Sequence, residues 1–179
     1  GSVDMAVSLQ IEDADRLARE HPEIKLIRRP WRQTDYVVWN SQDPLFADAA
    51  VRRALSGAID VDKLVEDLLT SKETGEVYGK RAVSSVSPAL CKSHNDAIVP
   101  LPYDPADARR QLEALGWGDA NGDGVLDRDG KDFAFTLLTN SGNPRRARAA
   151  ILIQSSLADA GVKVEISKLE SNTFFSSLR

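Results

Sequence analysis

The sequence predicts an α/β chain built on a mixed sheet with flanking helices. Three observations lead there. Phe133–Leu138, a helix from Asn143-Pro144 to about Ala160, and Val162–Ile166 form a strand–helix–strand unit. Such a unit implies parallel strands joined by a right-handed crossover. Val51, Ala54, Leu55, Ala58 and Ile59 recur at i, i+3, i+4, i+7 and i+8, one face of an amphipathic helix. Asp104-Pro105 opens and Gly116 closes a helix with the start and stop chemistry these residue types supply.

Taken in order, residues 3–9 read as a buried strand and residues 11–20 as a helix, with Asp13 and Asp15 near its positive N-terminal end. Ile24–Ile27 and Tyr36–Trp39 are short apolar runs of strand composition. Asp48 is placed to cap a helix over about 48–58, and Asp60 to cap the next, over 61–69, whose inner residues are Leu64, Val65, Leu68 and Leu69. From Thr70 to Pro102 no periodicity is sustained. Gly75, Gly79, Pro88, Pro100, Pro102 and many serines mark a long irregular excursion that either wraps the domain or carries ligand contacts. The helix from Pro105 turns Ala108, Leu112 and Leu115 inward. After the strand–helix–strand unit, Ser171-Asn172 starts a last helix.

Composition narrows the function. Lys and Arg total 23 against 27 Asp and Glu, a formal charge of −4, with no basic stripe beyond Arg28-Arg29 and Arg145-Arg146-Arg148. That argues against a nucleic-acid partner. No run approaches the ~20 apolar residues of a membrane span. Gly1-Ser2 reads as a scar from a cleaved tag, leaving 3–179 as a single domain or lobe. Cys91 is the only cysteine and His21 and His94 the only histidines. A Cys91/His94 dyad is conceivable, but a lone small hydrophobe in a loop explains Cys91 equally. There is no G-x-S-x-G, no H-E-x-x-H and no Gly-rich phosphate loop, so an enzyme is not expected.

Two strand-to-helix junctions could meet a ligand, because ligands gather beyond the carboxyl ends of parallel strands. One is Thr139-Asn140-Ser141-Gly142-Asn143, where Asn140, Ser141 and Gly142 and the helix dipole could hold a carboxylate; the alternative is a tight connection capped by Asn143. The other is Ser8-Leu9-Gln10, offering Ser8 and Gln10. Tyr36, Trp39 and Asn40 close an apolar strand and suit a peptide site, although alternation along a strand equally sends Trp39 into a core. Trp31 reads either as a cleft aromatic or as a surface staple.

The acidic stretch Asp119–Gly130 matches most of an EF-hand-type loop. Asp119, Asn121 and Asp123 alternate, Gly124 sits at the turn, Val125 offers its carbonyl and Asp127 falls at position nine. Position twelve, ordinarily a bidentate Glu, is Gly130, and a strand follows in place of a helix. No cofactor is required, and a structural Ca2+ is the candidate ion; the alternative is an Asp/Asn/Gly turn.

As text, Asn40–Asp60 resembles a signature of the solute-binding proteins of ABC importers, dipeptide/oligopeptide-binding family. Asn40, Pro44, Phe46, Asp48, Val51, Arg52, Ala54, Leu55, Ala58, Ile59 and Asp60 fit it. Val3–Val7, Tyr103–Trp117, Leu137–Asn143 and Val162–Ser171 resemble further motifs of that family in the right order, with Gln111-Leu112 where the family often has two leucines. The resemblance implies a type II periplasmic-binding-protein-like lobe of the peptide-binding cluster. This would be the second of two lobes, without the first and without the strand returning to it. It further implies a protein of the periplasm or cell exterior, with a lipid anchor left open. Its lobes close by hinge motion on a peptide or other small solute such as a nickel complex or sugar, and deliver it to an ABC permease. A calcium-stabilised interaction or sensor module without transport is the alternative, as is the sensor half of a signalling receptor.

Overall fold

The computed structural model describes residues 5–7, 9–29, 33–86, 95 and 97–177. They fall into two units, one of residues 1–35 with 65–99, the other of residues 36–64 with 100–179. The described elements are α1 (Ile11–Glu20), α2 (Ala49–Gly57), α3 (Val61–Leu69), α4 (Pro105–Ala114), β1 (Asp127–Arg128), β2 (Lys131–Asp132), β3 (Ala134–Asn140), α5 (Pro144–Asp159), β4 (Lys163–Leu169) and α6 (Ser171–Ser177).

The second unit carries the core. β3 and β4 pair in parallel from Ala134 opposite Lys163 to Asn140 opposite Leu169, with α5 as their crossover. β1 and β2 form a separate antiparallel pair, so the parallel and antiparallel pairings of this α/β fold stand in two small sheets. The amphipathic face read from the sequence is the buried one. Val51, Ala54, Leu55, Ala58 and Ile59 join Leu112, Trp117, Leu126, Phe133, Leu157 and Val162 in one cluster. Ala54 on α2 and Ala108 on α4 are each 1 % exposed, and such small buried residues let these packed helices approach closely. Asp48 caps α2 through Ala50 N–H, Asp104 caps α4 through Asp107 N–H, and Asn143 caps α5 through Arg146 N–H.

The first unit is held more by polar ties. Ser71 is buried and donates its hydroxyl to Asp15 of α1 at 2.8 Å, while accepting the Thr74 N–H at 3.0 Å. Asp15 therefore faces inward and does not serve the helix start; Glu12 and Asp13 occupy the first turn. Arg19 pairs with Glu73, and Arg28 with Glu76, with the Arg28 guanidinium lying 4.5 Å from the Tyr78 ring centre. Thr70 and Val77 form an isolated bridge at the start of the stretch that the sequence marks as irregular.

Three expected strands are not formed among the described residues. Residues 5–7, 24–27 and 36–39 carry no ladder, and Met5, Val7, Ile27, Tyr36 and Val38 are exposed. Apolar and β-branched composition favours extended backbone, but a strand exists only where a neighbour supplies the other half of its hydrogen bonds. The extended run 36–39 does keep the alternation: Val37 and Trp39 pack on the core while Tyr36 and Val38 point away. On α3, Leu64, Val65, Leu68 and Leu69 are half-buried, not buried as the periodicity suggests. The expected strand 133–138 begins one residue later and runs to Asn140; Phe133 is fully buried just ahead of it.

Candidate functional site

At the carboxyl ends of β3 and β4 the chain gathers a polar cluster. Thr139 and Asn140 end β3 and are buried at 6 % and 9 % exposure, although both are polar. A buried amide must be satisfied. Asn140 accepts from Arg146 Nη1 at 3.2 Å and lies 3.4–3.5 Å, through Nδ2, from the Ser141 carbonyl and the Ser171 hydroxyl. Ser141 N–H extends the ladder to Leu169 O at 2.6 Å. Gly142, at φ 84°, makes a turn that side chains resist. Two helices begin beside it. Asn143 Oδ1 accepts the Arg146 N–H at 3.0 Å, and Glu170 Oε2 accepts the Asn172 and Thr173 N–H groups of α6. The cluster is thus polar, faces two positive helix ends and carries a guanidinium. Pro144 has no N–H and Asn143 takes the Arg146 N–H, so the capping reading of Asn143 holds and fewer backbone donors remain than the bare helix end suggests.

Trp39 is engaged in the core of the same unit. It donates Nε1–H to Ser56 at 3.2 Å and packs on Phe46 and Phe135, ring centres 5.5 and 5.9 Å away. Phe135 lies five residues before Asn140 on β3, roughly 16 Å along the strand. Tyr36 is 78 % exposed. Asn40 is exposed and closes its own turn by accepting the Gln42 N–H at 3.1 Å. Gln10 precedes α1 in the first unit and makes no side-chain cap. Ser8, Trp31, Cys91 and His94 lie outside the described residues. Arg146 and Ser171 belong to the cluster and were not singled out from the sequence. The available signal was Arg145-Arg146-x-Arg148 in the first turns of a helix, where the dipole disfavours cations unless something else uses them.

The family of bacterial extracellular solute-binding proteins, family 5 Middle, matches the chain over residues 1–179. The chain belongs to this family. The oligopeptide-binding protein AppA of Bacillus subtilis is 39% identical over 136 residues, which are 75% of this chain and 24% of that protein. The structure of AppA from Bacillus subtilis in complex with a nonapeptide superposes with a TM-score of 0.68 at 36% identity, covering 77% of this chain and 26% of that one. NikA from Brucella suis, in complex with Fe(III)-EDTA, gives 0.64 at 26% identity over 76% of this chain and 26% of its own. The chain therefore spans about a quarter of the length of the relatives it matches. The fold is that of the type II binding proteins of the peptide-binding cluster.

The acidic loop of this family member folds on itself. Asp123 Oδ1 accepts the Val125 N–H at 2.8 Å, Asn121 Oδ1 the Asp123 N–H at 3.0 Å, and Asp127 Oδ2 the Ala120 N–H at 2.8 Å. Asp119 Oδ2 accepts the Gly124 N–H at 3.1 Å and Arg109 Nη2 at 3.3 Å. Gly122 and Gly124 take φ 76° and 91°. With the carboxylates turned to backbone donors, no three acidic, His or Cys side chains converge on one point among the described residues.

Proposed function

We propose that this chain is the ligand-facing second lobe of an extracytoplasmic solute-binding component of an ABC importer. In this reading it binds a peptide or similarly extended small solute, and the remainder of the protein closes over the ligand. The observation that carries the reading is the cluster at the ends of β3 and β4. The Asn140 side chain is buried and tied to Arg146, Ser141 and Ser171 at the mouth of two helices. Such an arrangement holds an acceptor-rich ligand by charge-assisted hydrogen bonds and exposed backbone, in the crevice where open α/β sheets collect ligands. The similarity to AppA, whose structure is in complex with a nonapeptide, supports peptide as the solute class. NikA with Fe(III)-EDTA supports keeping anionic chelates in the screen.

The protein acts by binding and release, not by catalysis. Periplasmic or cell-surface placement, a lipid anchor and delivery to a membrane permease follow from the same reading. The test is calorimetric titration of the whole protein, purified free of endogenous solute, with extended peptides of differing length and with metal chelates. Micromolar or tighter binding of peptide supports the reading. Absence of binding to every peptide, with no small solute retained on purification, would sink it.

A further inference from the structure

We propose that the Asp119–Gly130 loop is held by a cation the chain supplies itself, the guanidinium of Arg109, in the place where the sequence pattern provides for calcium. Arg109 projects from α4 and is only 28 % exposed. Its Nη2 donates to Asp119, the first residue of the loop pattern, at 3.3 Å. Its Nη1 donates to the Gly124 carbonyl at 3.1 Å, one residue before the Val125 carbonyl that an EF-hand-type loop would offer. Its Nε donates to Glu113 at 3.2 Å, one α4 turn on. A planar fork meeting a carboxylate and a carbonyl is what arginine does better than a point charge.

The surroundings fit the guanidinium. Gly161 follows α5 at φ 79°, and a Cβ there would come within 2.6 Å of Arg109 Nη1 and 3.1 Å of the Gly124 carbonyl. The helix-ending glycine thus serves two needs, a left-handed turn and room for the arginine. Leu126 N–H donates to Gly161 O at 2.8 Å and ties the loop to the α5–β4 corner, while Arg109 ties it to α4. Two further carboxylates are engaged locally: Asp123 and Asp127 accept N–H groups from within the loop. One oxygen stands against this picture. Asp119 Oδ1 is buried without a hydrogen-bond partner, and a bound cation would take it up. Metal is therefore the competing outcome of the test.

The experiment is thermal unfolding of the whole protein in millimolar calcium and in chelator, with terbium luminescence sensitised by Trp117, which lies two residues before the loop. The wild type is expected to melt within about 1 °C in the two conditions and to give no terbium signal at micromolar ion. A site filled a hundredfold over its dissociation constant would instead raise the melting temperature by about 5–10 °C. Arg109→Met is expected to lower the melting temperature by about 4–8 °C in chelator and to raise terbium affinity at least tenfold, because the carboxylates lose their cation. A calcium-dependent rise or a terbium signal in the wild type overturns the proposal, and that reading needs no variant. Unchanged melting in both Arg109→Met and Arg109→Lys overturns it as well.

Discussion

Two turns of this chain are written in the same letters and do different things. Asp119–Gly130 and Thr139–Asn143 are both rich in Asx residues and glycine, and both hold a glycine in the left-handed region. The first closes on itself: its carboxylates accept its own N–H groups and an arginine reaches in from α4. The second uses one residue, Asn143, to cap α5 and leaves Asn140 and Ser141 joined to Arg146 and Ser171 at the strand ends. The difference lies in what the neighbours supply. The acidic loop is tied to its own backbone and to α4, while the other turn gathers polar side chains at the strand ends, where the proposed ligand site lies.

That contrast can be broken at several points. Trp39→Ala has the largest expected effect. Loss of a ring packed on Phe46 and Phe135, together with its bond to Ser56, costs about 3–5 kcal/mol of stability in urea unfolding. Ligand affinity of the folded fraction should be unchanged; a selective loss of binding would move the site to the wrong end of β3. Gly161→Ala comes next, at about 2–4 kcal/mol, because the methyl meets the arginine and the loop carbonyl at a φ that alanine resists. Tolerance there would mean that the first turn is not closed by packing. Asn143→Ala removes only a cap and should cost about 1 kcal/mol by the same assay.

The smallest effects are electrostatic. Hydrogen bonds from Gln111 and then Arg110 hold the Asp107 carboxyl below its usual value. Whatever stability it contributes is present above the ordinary carboxylate range and lost as pH falls through its folded value; Gln111→Leu should raise its titration midpoint by NMR. Burial, then the charges of Asp159 and Asp60, hold the Tyr103 phenol above its ordinary value. Its contribution is complete below about pH 10 and declines as pH rises through the folded value, visible as phenolate absorbance appearing late in an alkaline titration.

Much of the second unit was legible in the sequence because local chemistry and packing agree there. The 3.6-residue spacing of Val51, Ala54, Leu55 and Ala58, the Asp104-Pro105 start and the Gly116 and Gly161 stops all appear where residue type alone puts them. What failed depends on distant partners. Ile24–Ile27 and Tyr36–Trp39 have strand composition, but composition does not supply a neighbouring strand. In the candidate site, Asn140 and Ser141 were readable as a strand-to-helix turn. Arg146 and Ser171 were not, because one sits a helical turn on and the other thirty-one residues beyond Asn140 in the chain. Arg109 was hidden for the same reason: nothing in the loop pattern announces a cation on the preceding helix.

The most direct test of the strand-end site is peptide titration of the whole protein carrying Arg146→Ala, with Asn143→Ala alongside as a cap-only control. Arg146→Ala should weaken binding by roughly ten- to a hundredfold, the size of a lost charge-assisted hydrogen bond, while Asn143→Ala, which alters stability, stays within about threefold. Equal affinity in wild type and Arg146→Ala would contradict a ligand site at the ends of β3 and β4.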